Sequence, residues 1–368
     1  MHLPGQPEAV VGQRASAVAG RSGGSKGAVA LDQWRGLALI LVLISHGFFF
    51  TDRVNGAGRV GVNLFFFISG ILVYRSLIKE TGGGWDLTRS FWWRRLRRLY
   101  PALIAYVLTM LVAVIFLQRL PGQPPPSDLS SYVRTLPWAL GYAINYHPGP
   151  PMALGHLWSL ACEMQFYFLA PLIFLLGGKS SAQRIAVFGG VTVVLMGLGL
   201  IYPLHVKHYE AAKYHFEIAV WPMMFGFFCE HVKRWFTWIP MKLVRIFHGA
   251  GVFALLLSLV MMLFGMQMKK LVIATGSAAL FPCFLAYLAG LPFPGAVGRM
   301  LAWSGERTYS IYLWQQPFTL CDFLPATWHP AGAAVSVLVG AIWFRIFEKP
   351  FLSVNRQHHL ADYKATVK

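Results

Sequence analysis

Arg35 and His46 lie eleven positions apart inside Leu31–Phe50 (LDQWRGLALILVLISHGFFF), a run that is otherwise mostly apolar. On an α-helix, eleven steps of about 100° make three turns plus roughly 20°, so both side chains project from one face. The rise between them is about 16 Å, half the thickness of a hydrocarbon core. A cation just inside one leaflet and an imidazole past the middle, on one line, suit a solvated or ligand-filled passage with a general base inside it. Each residue also has a plainer reading. A lone intramembrane histidine can be a buried ring bonded to a neighbouring carbonyl, and an arginine near a helix end can snorkel to the headgroups.

Two further stretches carry chemistry. Phe91–Pro101 (FWWRRLRRLYP) holds four arginines in five positions. Part of this cluster anchors a helix end with its aromatic belt. Arg94 and Arg98, four apart, share a helix face, with Arg95 and Arg97 expected to point elsewhere, and forked guanidiniums on one face suit phosphate. Gly155–Tyr167 (GHLWSLACEMQFY) contains Glu163, a carboxylate in an apolar helix that is costly unless paired or used. Ser159 stands one turn before it and Tyr167 one turn after. A structural salt bridge to one of the arginines is the alternative role for Glu163. Ser304–Pro317 (SGERTYSIYLWQQP) and Glu348-Lys349-Pro350 read, by themselves, as helix-end signals.

The elements that must position these residues are membrane helices. Of 368 residues, 56% are hydrophobic and only 12% charged, against about 25% charged in soluble domains, and mean hydropathy is +0.52. Ten apolar runs recur, at about 31–50, 60–78, 99–118, 154–177, 184–203, 216–231, 246–265, 271–290, 300–320 and 331–347. The expected fold is therefore all-α and polytopic, with about ten transmembrane helices. Placing both termini in the cytoplasm puts 23 of the 32 Lys and Arg on that side and 8 in external loops, with Arg35 inside a helix. This asymmetry accounts for the net charge of +18 better than a nucleic-acid partner does.

Residues 1–29, rich in Gly, Ala and Ser, are expected as a disordered cytoplasmic tail, 30–350 as the membrane domain, and 351–368 as a polar cytoplasmic tail. Pro121–Ser127 (PGQPPPS) opens the longest external loop, whose aromatic middle, Tyr132–Tyr146, suits a re-entrant or interfacial helix. A second external loop, His205–Glu217, is rich in His, Lys and Glu. Cys162, Cys229, Cys283 and Cys321 have unrelated spacings, so neither a disulfide framework nor a metal site is expected. No fixed-period repeat is evident.

In this order, LDQWRGLALILVLISH, GVNLFFFISGIL, FWWRRLRRLYP, HLWSLACEMQFY, TYSIYLW and the closing EKP resemble the integral-membrane acyltransferase-3 family over about residues 30–350. The resemblance implies a bacterial O-acyltransferase of the inner (plasma) membrane, a ten-helix domain and a cytoplasmic acyl-CoA donor, most often acetyl-CoA. It also implies a hydroxyl acceptor on a sugar, cell-envelope glycan or small molecule. The family's essential Arg and His fall on Arg35 and His46, its basic cluster on Arg94, Arg95 and Arg98, and its Glu on Glu163. Two positions depart from the pattern: Asn63 stands where an Asp is frequent, and Gln315 follows Trp314 where a His is frequent. Both leave an acceptor-side or second-layer role there open, as at Ser159, Tyr167 and Tyr309. With only a short polar tail after the last span, no further catalytic module is expected to hand the acyl group on.

The expected mechanism docks the donor phosphates on Arg94, Arg98 and Arg35, and His46 deprotonates the acceptor with Glu163 as its orienting carboxylate. An acyl-His intermediate is the variant. A transporter or flippase for a sugar-linked or anionic solute is the alternative from another class, and a scaffold with polar residues as interhelical glue is a third.

Overall fold

The computed structural model describes residues 8–47, 55–80, 83–119, 129–205, 212–263, 269–319 and 328–350. Helices account for nearly all of them, and no strand occurs among the described residues. The first helix, α1 (Glu8–Gly47), reaches back through most of the segment expected as a tail, although its apolar window begins only at Lys26. There follow α2 (Asn55–Leu77) and α3 (Gly84–Leu117), then the short α4 (Leu129–Leu140) and α5 (Met152–Gly155). Next come α6 (Leu157–Leu176) and α7 (Ser181–His205).

Seven stretches among the described residues are long and apolar enough to cross a bilayer, five of them within the helices just named. The other two are α10 (Met241–Leu263) and the final span, α15 (His329–Trp343) with the π-turn that continues it to Glu348. Each of the remaining three apolar runs is broken into two helices. Phe216–Ala219 (α8) and Trp221–Val232 (α9) divide just before Pro222, which has no N–H to continue a ladder. Lys269–Ser277 (α11) and Leu280–Leu288 (α12) form the second broken pair, and Gly295–Glu306 (α13) and Thr308–Thr319 (α14) the third, interrupted at Arg307.

Burial separates the centre of the bundle from its rim. The apolar window of α2 is 78% buried, whereas that of α7 is 11% buried and presents Val193 and Val194 outward. Leu108, Val112 and Phe116 of α3 and Phe253 and Leu256 of α10 also face out, as lipid-contacting side chains do. Two apolar cores fill the inside. One joins Phe66, Tyr106, Phe166, Phe227 and Leu313, and the other Trp34, Leu64, Phe67 and Phe284.

Close backbone contact fixes α1 against α13. A Cβ on Gly36 would collide with the Leu301 carbonyl, and one on Gly305 with that of Asp32. Small residues permit such an approach where the hydrophobic effect gives little drive between helices in lipid. Arg35 sits beside this seam.

The aromatic segment after α3 turns back along that helix. Tyr132 Oη donates to the Val107 carbonyl at 2.9 Å, and Tyr100 Oη donates to the Leu140 carbonyl at 2.9 Å, so α4 runs antiparallel to α3. The chain reverses at Gly141 and Tyr142, where φ is +52°. Residues 121–127 lie outside the described residues.

Candidate active site

Three arginines meet in one cavity: Arg35 from α1, and Arg95 and Arg98 from α3. Glu163 and Tyr167 of α6, Phe65, Ser69 and Leu72 of α2, Leu99 of α3 and Tyr309 of α14 complete its wall. The buried Glu163 carboxylate is held through one oxygen, which accepts from Ser69 Oγ at 2.9 Å and from Tyr167 Oη at 2.5 Å. The i, i+4 spacing of Glu163 and Tyr167 makes that last contact a local one. Arg95 lies over the rings of Tyr167 and Phe91, at 4.9 and 5.3 Å from their centroids. Arg35 lies 5.6 Å over Phe65, with Nη1 3.7 Å from Asp32 Oδ1 and Nε without a hydrogen bond.

Arg98 reaches the other way as well, with Nη2 3.8 Å from Glu348 Oε2. Glu348 is fully buried and accepts a hydrogen bond from Ser310 Oγ. The closing Glu-Lys-Pro is thus more than a helix-end signal, because its carboxylate sits behind the arginine cavity. The pairing of Arg94 with Arg98 on one face is not what the structure contains. Arg94 pairs with Glu80 and donates to Ser90 Oγ at 2.6 Å, outside the cavity, while Arg95 takes the place beside Arg98. Residues three apart are helix neighbours as much as residues four apart, and the nearby carboxylate decides between them.

Phe65 and Tyr309 also line a second, largely apolar cavity. Its walls are Ala38, Leu39 and Val42 of α1, Gly61 and Val62 of α2, Ser159 and Leu160 of α6, and Thr308 and Tyr312 of α14. Positions 35, 38, 39 and 42 therefore form one stripe of α1 from the arginines towards His46. Tyr309 Oη donates to the Leu99 carbonyl at 2.7 Å. Ser159 Oγ donates to Tyr312 Oη at 2.7 Å, and Tyr312 donates in turn to the His156 carbonyl at 3.0 Å.

One turn past Val42, His46 Nδ1–H donates to Gln315 Oε1 at 2.6 Å. That bond leaves Nε2 as the ring's acceptor nitrogen. Gly58 faces it, since a Cβ built there would lie 3.7 Å from Nε2. Glu163 is not the orienting group of His46: its partners are Ser69 and Tyr167, in the arginine cavity, and Gln315 has that position instead. Asn63 is buried against α11, donating to Ser277 Oγ at 3.1 Å, and does not line either cavity.

Sequence reasoning missed Gln315 as a partner and His156 and Gln316 altogether. His156 is buried, its Nε2–H donating to the Leu313 carbonyl at 3.0 Å and its backbone N–H to Gln316 Oε1 at 2.7 Å, with Nδ1 unpartnered. The available signal was two polar pairs in apolar surroundings: Gly-His before Leu157, and Gln-Gln before Pro317.

Beyond His46, two loops meet. Tyr146 Oη donates to Glu217 Oε2 at 2.9 Å. Burial and this hydrogen bond push the Tyr146 hydroxyl up to about 12, so it stays a proton donor across the physiological range. Cys162, Cys229 and Cys283 are buried free thiols, and Cys321 lies outside the described residues. Among the described residues, no three His, Cys, Asp or Glu side chains come together as metal ligands would.

Residues 29–346 match the family model described as an acyltransferase domain. The chain belongs to the acyltransferase-3 family. It is a multi-pass membrane protein, as the apolar helices of the family require. A Bacillus subtilis protein provisionally named as a peptidoglycan O-acetyltransferase is 27% identical over 91% of this chain and 58% of its own length. A Staphylococcus aureus protein provisionally named as an O-acetyltransferase is 26% identical over 87% of this chain and 56% of its own. The peptidoglycan O-acetyltransferase of Listeria monocytogenes is 25% identical over 87% of this chain and 55% of its own. The chain thus spans just over half the length of the curated relatives it matches. No solved structure matches it.

Proposed function

We propose that this chain is a membrane-embedded O-acyltransferase that moves an acetyl group from cytoplasmic acetyl-CoA to a hydroxyl on a glycan at the outer side of a bacterial inner membrane. Family membership and the O-acetyltransferase names of three relatives support the reaction class. The observation that supports the rest is that two cavities share Phe65 and Tyr309 in their linings: one holds three arginines, and the other has an apolar wall that ends one turn from His46.

In this reading the arginine cavity opens to the cytoplasm, both termini lie on that side, and the seven long spans and three broken ones give the ten crossings. Arg35, Arg95 and Arg98 receive the phosphates of the donor, where guanidinium forks are the suited partners. The uncharged pantetheine arm follows the stripe Ala38–Leu39–Val42 and brings the thioester to His46. Nε2 takes the proton of the acceptor hydroxyl as its oxygen attacks the thioester carbon. The tetrahedral intermediate then collapses, the carbon–sulfur bond breaks, and the CoA thiolate leaves with the proton returned from the imidazolium. The Gln315 carbonyl holds Nδ1–H throughout. Glu163 serves the arginine end, balancing charge beside Arg95.

Purified full-length protein in lipid nanodiscs, given labelled acetyl-CoA and a peptidoglycan-derived glycan, is expected to produce free CoA and acetylated glycan. His46→Ala should lower that turnover by about 100-fold or more with unfolding temperature retained, the scale of a lost general base. Full turnover by the folded variant would remove His46 from the mechanism.

A further inference from the structure

Three aromatic side chains, an imidazole and a carboxylate that take no part in the steps above gather where the turn at 142–146 meets residues 214–217. They come from sequence-distant segments, and each segment is pinned to the scaffold. The turn at 142–146 is held by Gln165, whose Nε2 donates to the Tyr142 carbonyl at 2.7 Å and to Asn145 Oδ1 at 2.8 Å. The segment at 213–214 is held by Cys162, whose thiol donates to the Tyr214 carbonyl at 3.4 Å, and by Arg59 Nη1, which donates to the Lys213 carbonyl at 3.2 Å.

So fixed, the two segments clasp each other. The Tyr146 and His215 rings lie 4.7 Å apart at 46°. Glu217 accepts from Tyr146 Oη at 2.9 Å through one oxygen, while the other lies 3.4 Å from His215 Nδ1. Beside them, the rings of Trp158 and Tyr214 stand 4.6 Å apart at 37°. Tyr146 is 41% exposed and the Glu217 side chain 46%. An exposed carboxylate at this end of the bundle faces water, since one facing lipid is strongly disfavoured.

We infer that Tyr146, His215 and Glu217, with Trp158 and Tyr214 beside them, form the docking site for a sugar ring of the acceptor, one that presents a hydroxyl to His46. The inference rests on the acyltransferase reading above. Its chemistry is that of a site for an uncharged, hydroxyl-rich ring. The exposed Tyr146 ring, with His215 against it, covers the apolar C–H surface of the sugar, and the carboxylate, phenol and imidazole supply both acceptors and donors for hydroxyl groups. The two neighbouring cations do not make it an anion site. Arg59 is spread over the Trp158 ring at 5.1 Å and tied to a carbonyl, and Lys213 lies over Tyr214 at 4.9 Å.

Position joins this site to the chemistry. Arg59 follows Gly58, the residue that faces His46 Nε2, and the Arg59 guanidinium rests on Trp158.

The test uses the full-length chain in nanodiscs and calorimetric titration with an N-acetylglucosamine tetramer, alongside a separate titration with acetyl-CoA. The wild type should bind the tetrasaccharide saturably. Tyr146→Ala and Glu217→Gln should each weaken that binding by about tenfold, the loss of one good contact, with acetyl-CoA affinity unchanged. Tyr146→Phe, which keeps the ring, should fall between them and the wild type, and unfolding temperatures should match. Absence of tetrasaccharide binding by the wild type at millimolar concentration overturns the proposal. So does wild-type affinity in Tyr146→Ala and Glu217→Gln. If sugar binding behaves as expected but the wild type never consumes acetyl-CoA, the docking site stands and the acyltransferase reading falls. If acetyl-CoA is consumed while the variants bind sugar normally, the reverse holds.

Discussion

His46 is held by a side chain 269 residues away, and in the proposed mechanism its reactivity depends on that hold. With Gln315 Oε1 accepting from Nδ1–H, the lone pair of Nε2 is the one turned towards Gly58 and free to accept a proton. Gln315→Ala removes the acceptor and lets the ring rotate and change tautomer. We expect kcat to fall roughly 10- to 100-fold, the scale of a misplaced reacting group, while the KM for acetyl-CoA stays the same. Steady-state kinetics on the nanodisc enzyme separates the two parameters, and an equal change in both would assign Gln315 to packing alone. None of this partnership is readable from local sequence, because the two residues meet only through the bundle. What helical spacing did carry was the stripe of α1 on which Arg35 and Val42 stand, and the contact of Glu163 with Tyr167 one turn on. Spacing failed where two choices were geometrically equal. Arg94 and Arg95 were both one turn from Arg98, and Glu80 drew the first away.

At the scale of helices, apolar run length found each of the seven long spans among the described residues but not the breaks. A window average sees hydropathy and is blind to where the hydrogen-bond ladder stops, so runs such as 216–231 and 300–320 read as single crossings although each holds two helices. The breaks matter because they lie next to the site. The second half of the last broken pair, α14, contributes Tyr309 and Tyr312 to the cavities and Gln315 to His46. The α1–α13 seam carries its own expectation. Gly305→Leu forces a side chain into the Asp32 carbonyl, and overpacking of this kind costs about 1–3 kcal/mol. Unfolding temperature should drop, and donor affinity should weaken with it because Arg35 sits on the displaced strand of contacts. A variant that loses stability but binds acetyl-CoA as tightly as the wild type would show that the seam does not position Arg35.

Across the whole molecule, the two ligands are expected to approach from opposite ends. Proteoliposomes with the arginine end facing outward should consume acetyl-CoA added to the bath, whereas those of the opposite orientation should consume it only when it is enclosed. Labelled donor and protease mapping of the Arg94–Arg98 segment report the two quantities independently, and equal consumption by both orientations would contradict a single entrance for the donor. The wall shared by the two cavities has a consequence of its own. Phe65 and Tyr309 line both, and beyond them the second cavity is walled largely by apolar side chains such as Ala38, Leu39 and Val42. Narrow apolar constrictions shed water. If the thioester of the proposed reaction passes here, the same wall keeps the empty route dry to protons and sodium, and an energised membrane holding this chain is not short-circuited by it.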